Sequence, residues 1–243
     1  MKASLGILAA SVFGCLFSSG AEPEAREWTA KDGTVVRYRW SAPETLEPGK
    51  TYPLVLFMHG AGERGTDNTA HLKHGIGPII EGAKKAGQPV FVIAPQCPEG
   101  RYWSPIDEAK TRLVEAVLAL VEETKGKQPI DPKRFYVTGI SMGGFATWDI
   151  LGRIPEKIAA AIPICGGGDT SLAKKYENVP IWTFHGEADP VVPVSATRDI
   201  VKALEEAGGK PKATYYPGVE HDSWTQTYDD PAVIQWMLGQ HQK

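Results

Sequence analysis

The stretch from Arg134 to Ile154 constrains this chain more than any other. An apolar, β-branched run (Arg134 to Thr138) turns through Gly139-Ile140-Ser141-Met142-Gly143 and opens onto a helical pattern, Gly144 to Ile154. Glycines on both sides of a serine permit a sharp strand-to-helix turn, because they remove the Cβ atoms that would hold the two elements apart. A serine on such a turn projects from the head of a sheet. By itself the five-residue pattern also fits a glycine-rich loop, so the order of the flanking elements decides its meaning.

That order is regular. Glu27 to Ala30 and Thr34 to Trp40 flank Lys31-Asp32-Gly33, a hairpin signal between short alternating runs. Leu54 to Met58 is a continuous apolar run, as expected of a strand covered on both faces. Pro89 to Ala94, Arg134 to Thr138, Ala159 to Ile164, Pro180 to Phe184 and Ala213 to Tyr216 repeat the theme. Helical patterns fall between them: Thr111 to Lys125 with one apolar stripe, Ala196 to Ala207 stopped by Gly208-Gly209, and Pro231 to Leu238 with proline in its first turn. Strands alternating with helices imply right-handed crossovers and a parallel sheet. The expected architecture is therefore α/β, a doubly wound, mostly parallel sheet of about eight strands with an N-terminal hairpin.

Composition narrows the function classes. The chain has 243 residues, 42% of them hydrophobic, enough for one sizeable core, so 22–243 reads as one domain. A net charge of -3 with no basic stripe excludes nucleic acid as an expected partner. Residues 1–21 read as a secretory signal peptide: Lys2, an apolar stretch from Leu5 to Phe17, then Ser19-Gly20-Ala21. The apolar stretch is too short for a membrane span. Val12-Phe13-Gly14-Cys15 offers lipidation at Cys15 as an alternative, and either route predicts a secreted or periplasmic protein. Cys97 and Cys165 follow strands that are not neighbours, and a separation of about 14 Å exceeds disulfide reach, so free thiols are expected.

Ser141 needs a base, and the base needs an orienting group. His221 follows the last strand and the Pro217-Gly218 turn, at the same carboxyl edge as Ser141; alone it would read as a surface loop histidine. Asp189 follows the strand Pro180 to Phe184 at that edge, where its carboxylate could accept from the imidazole, while Asp189-Pro190 is also a turn signal. Asp169 is the rival acid. The oxyanion of an acyl-transfer intermediate would need two N–H donors, expected from Met142 and from Ala61, with Gly62 as the alternative to Ala61. Trp103 and Trp224 are the candidates for substrate contact, against the reading that they pack loops. His71 and His74 lack a third ligand and read as a solvated helix edge, so no metal is expected.

Phe57-Met58-His59-Gly60-Ala61-Gly62-Glu63-Arg64-Gly65, Ala94-Pro95-Gln96-Cys97-Pro98, Gly139 to Gly144 and His185-Gly186 together resemble the α/β-hydrolase superfamily. Within it the chain is similar to small secreted esterases of polyhydroxybutyrate depolymerase-like, phospholipase/carboxylesterase and prolyl-oligopeptidase-like type. The resemblance implies a triad of Ser141, Asp189 and His221 with no metal or organic cofactor. It further implies a carboxylesterase acting on small-molecule or polysaccharide-linked esters, feruloyl and acetyl esters first. A serine peptidase and a non-catalytic binding module are the alternatives. There is no room for the propeller of true prolyl oligopeptidases. Dienelactone hydrolases carry cysteine where this chain has Ser141, which points away from that narrower group. Acyl length, alcohol and oligomeric state are not legible in the sequence.

Overall fold

The computed structural model describes residues 22–103 and 112–242. The expected leader, with Cys15, lies outside the described residues, as does Thr111 at the expected start of a helix.

Among the described residues, eight strands form one sheet: β1 (Glu24–Thr29), β2 (Val35–Ser41), β3 (Tyr52–Met58), β4 (Phe91–Gln96), β5 (Ile130–Ile140), β6 (Ala160–Ile164), β7 (Trp182–Gly186) and β8 (Lys212–Tyr216). Their spatial order is β1-β2-β4-β3-β5-β6-β7-β8. β1 and β2 make the expected hairpin, and β2 runs antiparallel to β4. From β4 to β8 every pairing is parallel. The expected doubly wound sheet is the observed one.

Among the described residues, six α-helices cover its faces: α1 (Ile76–Lys85), α2 (Arg112–Lys127), α3 (Met142–Arg153), α4 (Ser195–Glu206), α5 (Trp224–Asp229) and α6 (Pro231–Leu238). Strand side chains alternate between faces. Leu54, Leu56 and Met58 of β3 therefore join a core with α2, α3 and α4, while Val55 and Phe57 join a second core with α1, α5 and α6. The fully buried β3 is the run read as a strand covered on both sides.

Two helices go beyond the sequence reading. α1 contains Gly77, Pro78 and Gly82, which mask its periodicity; Pro78 sits in the first turn, where its missing N–H costs nothing. Gly82 is there for packing, since a Cβ would press on Ile234 of α6 at 3.0 Å. α5 has six residues, too few for a periodic signal. Cys97 and Cys165 are free and buried, as expected.

Candidate active site

The parallel strands all deliver their following loops to one edge, and the reactive side chains gather there. Ser141 links β5 directly to α3 with φ 51° and ψ -116°, a left-handed conformation that a non-glycine residue adopts only under tertiary restraint. Glycines supply that restraint by letting backbones touch. A Cβ on Gly139 would lie 2.6 Å from the Met58 carbonyl oxygen, and a Cβ on Gly144 would overlap the Ile164 carbonyl. The Ser141 N–H donates to Ile164 O at 3.0 Å and lies 3.2 Å from Cys165 Sγ, which ties the turn to the end of β6.

His221 reaches the same point from the loop between β8 and α5. A Cβ on Gly186 would overlap the carbonyls of Val219 and Glu220, so glycine at the end of β7 is what admits this loop. Ala188 N–H donates to Val219 O at 3.0 Å and fixes the approach. The result brings three of the expected residues together: His221 Nε2 lies 2.9 Å from Ser141 Oγ, and His221 Nδ1 lies 2.7 Å from Asp189 Oδ2. Asp189 Oδ1 accepts from the N–H groups of Val191 (2.8 Å) and Val192 (2.9 Å). Burial pushes the Asp189 carboxyl pKa up, and the hydrogen bonds from His221, Val192 and Val191 outweigh it, leaving the pKa below its ordinary value. The carboxylate is thus held ionised, with the His221 tautomer that leaves Nε2 free to accept from Ser141.

Asp169, the rival acid, is elsewhere. It is exposed, and Oδ1 accepts from Ser171 N–H (2.9 Å) and Oγ–H (2.7 Å), capping a 3-10 turn.

The two candidate oxyanion donors sit on adjoining segments. Met142 is the first residue of α3 and Ala61 the first of a 3-10 turn, positions whose N–H groups have no partner within their own helix. A Cβ on Gly143 would overlap the Met58 carbonyl, so the start of α3 lies directly against the segment that leads to Ala61. Arg64 Nε donates to Ala61 O at 2.8 Å, and Cys97 N–H donates to His59 Nε2 at 2.9 Å, bracing that loop. Burial, partly countered by the Gly60 carbonyl, lowers the His59 pKa to about 3 and keeps its ring neutral for that bond.

The tryptophans separate. Trp224 is half-buried, with its ring edge-on to His221 at 5.3 Å and to His74 at 5.5 Å, a wall beside the imidazole. Trp103 does not reach the cleft: it is fully buried, and its Nε1–H donates to His59 O at 3.0 Å. The expectation of substrate contact is corrected for this residue, because the loop after β4 turns the indole inward beneath the Ala61 loop. His71 is corrected as well. It is buried rather than solvated, bonded through Nε2 to Ala94 O at 3.0 Å, with burial as the largest influence lowering its pKa to about 4.

Two residues of the site carried no role in the sequence reading. His185, on β7, lies with Nε2 3.2 Å from Asp189 Oδ2, the oxygen that also meets His221. Its only sequence signal was its place in His185-Gly186-Glu187-Ala188-Asp189. Cys165 Sγ, Asp189 and His221 offer ligand atoms within 4.8 Å of one another. A metal would need the Cys165 thiolate, and burial pushes that thiol up to about 12, so the donor set fits a hydrogen-bonded unit better than a metal centre.

Residues 96–234, more than half of the chain, match the dienelactone hydrolase family. The chain belongs to that family, and through it to the α/β-hydrolase superfamily. The expectation drawn from a cysteine nucleophile is corrected: the match spans the region from the end of β4 to α6, and Ser141 stands within it. A solved thermostable esterase is 39% identical, with a TM-score of 0.85, covering 90% of this chain and 63% of that one. The bifunctional acetylxylan esterase/xylanase XynS20E of Neocallimastix patriciarum is 28% identical over 188 residues, 76% of this chain and 26% of that protein. The uncharacterized peptidase YuxL of Bacillus subtilis (strain 168) is 26% identical over 240 residues, 82% of this chain and 35% of that protein. This dienelactone hydrolase family member thus spans about a quarter to a third of those two curated relatives. No helix among its described residues is long and apolar enough to cross a membrane.

Proposed function

We propose that this protein is a serine-dependent carboxylic ester hydrolase. The observation that carries the reading is the unbroken hydrogen-bond chain from Ser141 Oγ through His221 to Asp189 Oδ2, at 2.9 and 2.7 Å. Ser141 Oγ attacks the ester carbonyl carbon while His221 Nε2 takes its proton, and Asp189 stabilises the resulting imidazolium. The carbonyl oxygen becomes an oxyanion held by the N–H groups of Met142 and Ala61, and the Met142 donor gains from the positive end of α3. Collapse expels the alcohol, which receives the proton from His221. Water, deprotonated by His221, then attacks the acyl-enzyme, and Ser141 leaves with the proton returned.

The substrate class we propose is a feruloyl or acetyl ester on a polysaccharide. Trp224 supports it as an aromatic wall beside His221. A cavity of about 440 Å³ between α3 and α4 supports it further, lined by Phe145, Asp169, Thr170 and Asp199, with Phe145 one helical turn past Ser141. An exposed ring with carboxylates and a hydroxyl around it suits a face and an edge of sugar. The acetylxylan esterase/xylanase relative points the same way. Export through the 1–21 leader, with or without lipidation at Cys15, would bring the enzyme to such polymers. The peptidase relative YuxL motivates a second reading, cleavage of a prolyl or acyl peptide. The test is a panel of nitrophenyl esters, methyl cinnamates and an aminoacyl-prolyl anilide. Ester cleavage that disappears in Ser141→Ala supports the proposal; faster anilide cleavage favours the peptidase; activity surviving in Ser141→Ala refutes the mechanism.

A further inference from the structure

Behind Asp189 lies a proton count that the three-residue chain does not use. His185 Nδ1 is 2.6 Å from Thr197 Oγ1, and Thr197 Oγ1 in turn donates to Gly166 O at 2.6 Å. Thr197 has one hydroxyl hydrogen and the Gly166 carbonyl only accepts, so the hydrogen between His185 and Thr197 comes from Nδ1. On the other side of the ring, Nε2 is 2.9 Å from Val192 O and 3.2 Å from Asp189 Oδ2, both acceptors. Nε2 therefore needs a hydrogen too.

We propose that His185 carries a proton on each ring nitrogen in the working enzyme and acts as a positioning residue, clamping the same Asp189 oxygen that receives His221. The inference deepens the esterase reading and rests on it. Burial, joined by the nearby His221, lowers the His185 pKa below its ordinary value, although the Val192 carbonyl and the Asp189 carboxylate act for a charged ring. The hydrogen-bond count decides, because a neutral ring would leave a lone pair facing two oxygens or leave the Thr197–Gly166 contact without its hydrogen. Among the described residues, Asp189 and His221 act on the ring directly, the Cys165 thiol lies beside those two, and Tyr215 is the partner of His185 in the β7–β8 register. Burial raises the pKa of both Cys165 and Tyr215, so they stay neutral; Arg198, in the first turn of α4 and over the Tyr215 ring, pairs with Glu187 just after β7. Asp189 is thus the counter-charge. A fixed cation there keeps Asp189 ionised and adds positive charge to the site, which makes the site as a whole harder to protonate as the pH falls.

The test uses the intact protein labelled with nitrogen-15 histidine, the His185 signals being those lost in His185→Gln. Both ring nitrogens should be protonated at pH 7. In His185→Gln, which keeps a donor toward Asp189 but no charge, the acid limb of kcat/KM for nitrophenyl acetate should move up by about half to one pH unit with KM unchanged. Thr197→Val, which removes the acceptor of Nδ1–H, should move it the same way. A purely structural role would lower kcat and leave the limb in place. A singly protonated wild-type ring, or an unmoved limb in folded variants, would overturn the proposal. Activity surviving in Ser141→Ala would instead refute the esterase mechanism and leave the proton count standing.

Discussion

Gly143 and Met58 meet so closely that a Cβ on the glycine would fall inside the Met58 carbonyl. This contact seats the first turn of α3 on the end of β3, and so sets the Met142 N–H relative to the Ala61 loop. Gly143→Ala should lower the melting temperature by several degrees and cut kcat on nitrophenyl acetate more than about 100-fold, the scale of losing one oxyanion donor. Wild-type stability and rate in that variant would mean the two segments can part freely.

Asp189 and Asp169 differ in their partners, and their amide variants should differ accordingly. Asp189→Asn places a donor against His221 Nδ1 and should reduce kcat by about 10⁴-fold, the loss seen when a triad aspartate becomes an amide. Asp169→Asn weakens a cap and alters one wall of the cavity between α3 and α4, away from His221, so on nitrophenyl acetate it should keep kcat while costing at most about 1 kcal/mol in urea unfolding. The opposite ranking would reassign the acid.

Trp103 and Trp224 should separate in their kinetics. Trp103→Phe keeps the ring but deletes the hydrogen bond to His59 O, so kcat should fall with KM unchanged. Trp224→Ala removes the wall beside His221 and should raise KM for cinnamate esters more than for acetate. A KM effect confined to Trp103 would restore it as a contact residue.

Acid stability follows from His59 and His71. Their folded pKa values, about 3 and about 4, lie below the unfolded value of 6.5. Between pH 6.5 and 4 the unfolded chain binds more protons at these sites, so stability is fully present above pH 6.5 and falls as the pH drops through that window. Each histidine contributes a slope of up to about 1.4 kcal/mol per pH unit. His71→Gln should flatten the urea-unfolding stability curve between pH 6.5 and 4 by about one proton's worth; an unchanged slope would contradict this account of burial.

Much of this was legible in the sequence because it is written locally. The elbow glycines, the apolar β3 run and the Ser-Asp-His order each depend on neighbours in the chain, and the sheet repeats them. What escaped depends on distant packing. The breakers Gly77, Pro78 and Gly82 hid α1, where Gly82 is required by Ile234 of α6. Trp103 and His71 read as cleft and surface residues, because nothing nearby in the chain says that a loop folds them inward. His185 gained its place only when Thr197 of α4 and Asp189 closed around it.

The most direct measurement is active-site labelling with an aryl fluorophosphonate, followed by peptide mass spectrometry. A nucleophile activated by His221 should leave the phosphonyl group on the peptide containing Ser141, with labelling lost in Ser141→Ala and slowed at least about 100-fold in His221→Ala. A chain that stays unlabelled while folded and hydrolysing esters, or that carries the label on another residue, would contradict it.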